Sequence, residues 1–254
     1  MACYAITGGA SGIGAAIGAQ LRSNNHQVIV VDIQNADVVA DLATVAGREH
    51  AVEGVKALAS DGLDGFIPCA GVGVNVKPPS LITRINYFGA LATIEGLKDL
   101  LAKKHGSIVL ISSISATMKA DTAYVDSLLA NDESASIEIV DDLGDANSAY
   151  AGSKQALTRW MRRNCSDYLA QGVRMNAVAP GYISTPLNEK IEAVPALHKV
   201  NEAFAQSIPL GRRGLPEDIA NVVCFLLSEK SAFVAGAVLL VDGGHDAMFR
   251  PDQF

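Results

Sequence analysis

Two residues of the stretch "SAYAGSK", residues 148–154, are Tyr150 and Lys154. On a helix, positions i and i+4 share a face one turn apart, so the phenol and the ammonium would reach into the same space. A free tyrosine has a pKa near 10, so about 0.1% is phenolate at neutral pH. An adjacent ammonium favours the charged form. Such a phenol can exchange a proton with an alcohol or a carbonyl. The same spacing also describes a solvated helix face, and alone it decides nothing.

A second constellation stands at the other end of the chain. "TGGASGIG", residues 7–14, follows an apolar run and opens a helical one. Gly8, Gly12 and Gly14 permit a tight turn, close approach of backbone to a phosphate, and close helix–sheet packing. The helix start supplies free N–H groups for a pyrophosphate. The glycine spacing is not GxGxxG, and glycines alone describe many turns. The next apolar run ends in Asp32, eighteen residues after Gly14, near the distance expected of a ribose-binding acid. A carboxylate there accepts bonds from both ribose hydroxyls and repels a 2′-phosphate. Neither Ser11 nor Ile33 is basic, so the residues favour NAD(H) over NADP(H).

These groups need rigid elements to hold them. Seven short apolar runs read as strands buried on both faces: 3–7, 27–32, 38–40, 65–70, 107–112, 173–179 and 237–242. Helical stretches at 13–24, 45–60, 81–102, 149–170 and 216–227 alternate with them. Pro216, Glu217 and Asp218 suit the first turn of the last helix. The alternation predicts a single α/β domain with a doubly wound parallel sheet of about seven strands. The 254 residues, 49% hydrophobic, suffice for its core. A formal charge of −7 argues against nucleic acid or an anionic membrane as partner. Cys3, Cys69, Cys165 and Cys224 form no CxxC, and the five histidines offer no zinc ligand pair, so neither a disulfide nor a metal is expected. With no apolar run long enough to span a bilayer and no signal-peptide layout, a cytoplasmic location is expected.

The motifs then assemble into a resemblance. "TGGASGIG", "CAG" at 69–71, "NYFG" at 86–89, "ISS" at 111–113, "YAGSK" at 150–154 and "PGYIST" at 180–185 occur in the order of the short-chain dehydrogenase/reductase family. The resemblance implies a Rossmann-type sheet and nicotinamide-dependent oxidation of alcohols or reduction of carbonyls. By matching motif it implies a catalytic set of Asn86, Ser113, Tyr150 and Lys154, with Ser113 and Tyr150 on the substrate. It implies that Gly8, Ser11, Gly12, Ile13, Gly14, Asp32, Asp41, Leu42, Ala70, Gly71, Tyr150, Lys154, Pro180, Ile183 and Thr185 hold the cofactor. Ser113 would bond the substrate oxygen, and Asn86 would position a water linking Lys154 to solvent. Ser113 also reads as a strand-end cap, Asn86 as a backbone brace, and Asp41 as a helix N-cap. Cys69 replaces the family's commoner asparagine, which predicts a missing sheet-bracing bond.

The chain departs from the family in spacing. Fifteen residues separate Gly71 from Asn86, and 37 separate Ser113 from Tyr150. The first gap predicts a curtailed helix; the second predicts an insertion at about 117–147 with one or two short helices. These features and the tail "DGGHDAMFRPDQF" resemble a bacterial subgroup, the 3α-hydroxysteroid dehydrogenases/carbonyl reductases. That implies reversible oxidation of a 3α-hydroxyl of steroids or bile acids and reduction of ketones or aldehydes. Tyr182, Leu187, Ile191, Leu197, Phe204 and Ile208 would close as a lid, at about 182–210, over an apolar substrate, or simply pack that segment onto the domain. Other readings are a dehydrogenase of a polyol, a dihydrodiol or a 3-oxoacyl thioester, and a non-catalytic NAD-sensing module. The acids of the insertion predict pairing with Arg159, Arg162 and Arg163 in one subunit. They also predict a homodimer built through 216–227 and the final strand.

Overall fold

A computed structural model describes residues 1–253, apart from the side chains of residues 195–197, 200 and 201; the Leu197 side chain lies outside the described residues. Strands β1 (Cys3–Thr7), β2 (Gln27–Asp32), β3 (Val38–Val39), β4 (Gly65–Pro68), β5 (Ser107–Ile111), β6 (Arg174–Pro180) and β7 (Val238–Val241) form one sheet. Its order is β3-β2-β1-β4-β5-β6-β7, and every pairing is parallel. The order reverses between β1 and β4. In such sheets a crevice opens there at the carboxyl ends of the strands.

The apolar runs are continuous because both faces of the sheet are covered. Ala5, Ile29, Val31, Phe66, Ile108 and Leu110 point to one face and pack with helices α2 (Val45–Leu58), α4 (Ala90–Gly96) and α8 (Ala146–Leu169). Tyr4, Ile6, Val28, Val30, Ile67 and Val109 point to the other, against α1 (Gly12–Ser23) and α11 (Pro216–Leu227). Alternate residues of one strand thus serve two cores. Asp218 receives the Leu215 N–H at 2.7 Å and closes the first turn of α11, as its sequence predicts. No described helix is long and apolar enough to cross a membrane.

The expected single helix at 81–102 is not continuous. It runs as a turn, α3 (Ser80–Ile82), a π-helical stretch Thr83–Gly89, α4, and after a break at Leu97 the helix α5 (Lys98–Lys104). Segment 117–147 forms two helices, α6 (Thr122–Leu129) and α7 (Glu133–Leu143). A Cβ on Gly152 of α8 would meet the Tyr124 ring of α6 at 2.6 Å, so that glycine is what lets α6 lie against α8. The acids of this segment do not pair with Arg159, Arg162 and Arg163 as expected. Glu133 instead pairs with Arg48 and Arg84, and Arg162 donates to the Gly236 carbonyl at 2.9 Å. Arg159, Arg162 and Arg163 are exposed. Helices α9 (Pro186–Glu192), α10 (Pro195–Gln206) and α12 (His245–Phe249) complete the chain.

Candidate active site

All seventeen residues that the resemblance implies for catalysis and cofactor binding line one cleft of about 640 Å³. It runs along the carboxyl ends of the central strands. One end is the glycine loop between β1 and α1. Gly8 and Gly12 have φ of +73° and +53°, which side chains disfavour. A Cβ on Gly14 would stand 2.1 Å from the Gly8 carbonyl oxygen, so the loop closes only with glycine there. Ser11 is the N-cap of α1, but its hydroxyl makes no capping bond. Asp32, at the end of β2, accepts from the Ala10 N–H at 2.9 Å and from the Ile33 N–H at 2.7 Å. The carboxylate therefore braces the loop whose cleft it lines.

Beside it lie Asp41 and Leu42. Asp41 is not the N-cap of α2. That role falls to Thr44, whose hydroxyl accepts from the Gly47 N–H at 3.0 Å, while Asp41 accepts from Ala43 in a local turn. Ala70 and Gly71 follow β4. The main chain there is held from β1: the Thr7 hydroxyl accepts from the N–H groups of Cys69 and Ala70, both at 3.2 Å.

Ser113, Tyr150 and Lys154 meet at the middle of the cleft. Tyr150 and Lys154 lie on consecutive turns of α8, with the ammonium 5.9 Å from the phenol ring centre. Lys154 is buried and donates to the Ile111 carbonyl at 2.8 Å. Ser113 follows β5 and does two things. Its oxygen accepts from the Ser115 N–H at 3.1 Å, and its hydroxyl acts on the Tyr150 phenol, with which it lines the cleft. Ser112 turns away to the Thr158 hydroxyl at 2.6 Å, which separates the two serines of "ISS". Asn86 sits in the π-helical stretch, buried, with its amide spent on one residue: it accepts from the Val72 N–H at 2.8 Å and donates to the Val72 carbonyl at 3.0 Å. The amide thus braces the loop after β4, as the backbone-brace reading of this residue expects.

The electrostatics also differ from expectation. Burial raises the Tyr150 phenol above its ordinary pKa; the Ser113 hydroxyl pulls it down and the Cys69 sulfur nearby pushes it up. Burial lowers Lys154 to about 8, against a smaller opposing effect of Cys69. From the polypeptide's own groups, then, desolvation is the largest effect, and the phenol holds its proton at neutral pH.

The far end is apolar. Tyr182, Leu187, Ile191 and Phe204 line the cleft, whereas Ile208 packs beneath them with Tyr182 and Ala205. The 180–185 segment closes the cleft above the glycine loop. Pro180 ends β6, Ile183 bridges to Gly214, and the Thr185 hydroxyl caps α9. Val72, Val74, Met118 and Asn147 also line the cleft. Sequence reasoning passed over them because Val72, Val74 and Met118 lie outside regular elements and Asn147 opens α8 ahead of its motif. Among the described residues no cluster of metal-ligating side chains occurs.

Comparison with known proteins gives the same picture. The family model "short chain dehydrogenase" matches residues 2–125, and "Enoyl-(Acyl carrier protein) reductase" matches residues 134–246. A 3-alpha-hydroxysteroid dehydrogenase/carbonyl reductase of Comamonas testosteroni is 38% identical over all of both chains. A cis-4-hydroxycyclohexanecarboxylate dehydrogenase of Sinomonas cyclohexanicum is 31% identical, covering 96% of each. The crystal structure of a 3-alpha-hydroxysteroid dehydrogenase from Pseudomonas sp. B-0831, complexed with NADH, superposes with a TM-score of 0.96 at 42% identity, covering 99% of this chain and 100% of that one.

Proposed function

The chain belongs to the short-chain dehydrogenase/reductase family and is an oxidoreductase of hydroxyl and carbonyl groups; from that premise we propose that it reversibly oxidises the 3α-hydroxyl of a steroid or bile acid with NAD. The observation that carries the reading is the convergence of Ser113, Tyr150 and Lys154 between a glycine loop with its acid and an apolar chamber. The full-length relatives named for steroid oxidation support the substrate class.

The residues fit the dinucleotide. Gly12, with its positive φ of +53°, faces the Thr185 side chain across the cleft, so loop and 180–185 segment flank one gap. Gly8, Ser11, Gly12, Ile13 and Gly14 would hold the pyrophosphate, Asp32 the adenosine ribose, and Asp41 and Leu42 the adenine. Ala70 and Gly71 allow close approach, Lys154 would bond the nicotinamide ribose, and Pro180, Ile183 and Thr185 would orient the carboxamide. The bound group supplies the hydride acceptor or donor. Ser113 holds the substrate oxygen beside Tyr150. Tyr150 takes the hydroxyl proton in oxidation and returns it to the carbonyl in reduction. Its phenol starts protonated, so oxidation requires lowering its pKa. Lys154 contributes positive charge to that, and an oxidised nicotinamide adds more. Asn86 keeps the loop after β4 in place through Val72. Leu187, Ile191 and Phe204 form the lid over the steroid rings.

The test follows NADH absorbance with a 3α-hydroxysteroid, a bile acid, a polyol and a 3-oxoacyl thioester. Turnover of the first two, with the others slower by about a hundredfold or more, is expected; apolar burial of several ring carbons separates them by that much. Preference for the polyol or the thioester overturns the steroid reading. NADH binding without turnover of any of them marks a binding module.

Assembly follows from the same placement. Helices α6 and α7 cover part of α8, and Phe225 of α11 and Leu240 of β7 are exposed. A homodimer through α11 and β7 is the expected state, and Phe225→Asp with Leu240→Asp should convert it to monomer in light scattering. A native dimer that survives the double substitution, or cross-links between two copies of α8, would contradict this.

A further inference from the structure

We infer that Arg48, locked by Glu133 of α7, positions the turn at 41–43 and thereby sets the affinity for the adenosine half of the dinucleotide; this rests on the NAD reading above. Arg48 lies on α2, outside every motif of the sequence, and is 6% exposed. Its Nε donates to the Leu42 carbonyl at 2.9 Å. Its Nη1 and Nη2 fork onto the two Glu133 oxygens at 2.7 and 2.8 Å. Nη2 also donates to the Arg84 carbonyl at 3.0 Å, and the guanidinium lies 5.8 Å from the Phe88 ring centre.

The donors land on two main-chain carbonyls, and each belongs to a wall of the cleft. Leu42 lines its adenine side. Arg84 precedes Asn86 in the π-helical stretch that braces the loop after β4. The two walls also touch: a Cβ on Gly89 would stand 3.0 Å from the Leu42 Cβ. Local bonds shape the turn, from the Ala43 N–H to Asp41 and from the Thr44 hydroxyl to the Asp41 carbonyl. Arg48 is what ties that shape to α7 and to the π-helical stretch. A guanidinium suits the task because its planar fork fixes direction as well as charge. Buried, it needs Glu133: an unpaired charge there is costly, whereas an exposed pair contributes little. The segment 117–147 thereby acts on cofactor binding through its first acid in α7, without touching the cleft at Glu133.

The experiment compares the whole enzyme with Arg48→Met combined with Glu133→Leu, which removes both charges together and leaves none stranded. Arg48→Lys, which keeps the charge but not the fork, is the second variant. Calorimetry gives Kd for NADH and for ADP-ribose; kcat/KM is measured with reduced nicotinamide mononucleotide, which lacks the adenosine half. In both variants Kd for NADH and ADP-ribose should rise about tenfold, equivalent to losing one charged hydrogen bond. The kcat/KM with the mononucleotide should stay within about twofold. Equal losses with the mononucleotide would mean general loosening, and unchanged Kd values would mean that Arg48 only packs; either overturns the inference. Failure of the unmodified enzyme to bind NADH would instead overturn the NAD reading.

Discussion

Tyr150→Phe is expected to lower kcat by about a thousandfold while leaving the Kd for NADH within about twofold. Phenylalanine keeps the ring and its packing and removes the one group that exchanges a proton with the substrate oxygen. The effect should fall on kcat and kcat/KM together, as for an interaction made in the transition state. Lys154→Ala should harm both kcat and NADH affinity, since its ammonium supplies charge to the phenol and a donor to the cofactor. The pH profile gives an independent check. Burial raises the phenol and lowers Lys154 to about 8. Carbonyl reduction needs the protonated phenol, so its rate should be flat through neutral pH and fall at higher pH. Oxidation needs the phenolate, so its rate should rise with pH and stop rising near the Lys154 pKa, where the supporting charge is lost. Retention of more than a few per cent of kcat in Tyr150→Phe would exclude Tyr150 as the proton carrier. A reduction rate that climbs with pH would reverse the assigned protonation state.

The parts of this site that were legible in the sequence are those fixed by local physics. Strands buried on both faces show as continuous apolar runs, and all seven appear where the sequence places them. The glycines are legible because backbone with positive φ at Gly8 and Gly12 admits little else. Tyr150 and Lys154 are legible because one turn of helix fixes their relation. What the sequence did not show depends on partners far away along the chain. The choice of Arg48 and Arg84 as partners of Glu133, over the arginines of α8, is decided by which side of α8 the segment packs on. The sequence offers Asn86 as a backbone brace, but not that the backbone it holds is Val72 in the loop after β4. The π-helical stretch at Thr83–Gly89 has no simple residue signature. The raised phenol of Tyr150 follows from desolvation, and spacing carries no information on burial depth; the sequence showed the charge beside the phenol and not the larger opposing effect.

Asp32→Ala combined with Ile33→Arg is expected to shift the ratio of kcat/KM for NADPH over NADH by about a thousandfold. In the unmodified chain a 2′-phosphate would have to approach the Asp32 carboxylate, and two like charges at about 4 Å repel by several kcal/mol near a protein surface. No basic side chain of the adjoining loop offsets that: Ser11 and Ile33 are neutral. Ile33 lines the cleft and is 66% exposed, so an arginine there has room to fork onto a phosphate. The substitution at Asp32 also removes the bond to the Ala10 N–H at 2.9 Å, which loosens the glycine loop for both cofactors. The NADH rate should therefore fall more than the NADPH rate gains, and the ratio, not either rate alone, is the quantity to read. Asp32→Asn serves as the control. It keeps an acceptor for the Ala10 N–H and removes the charge, so it should move the ratio part of the way with less loss of NADH affinity. An unmodified enzyme that turns over NADPH as well as NADH would show that the carboxylate does not govern the choice.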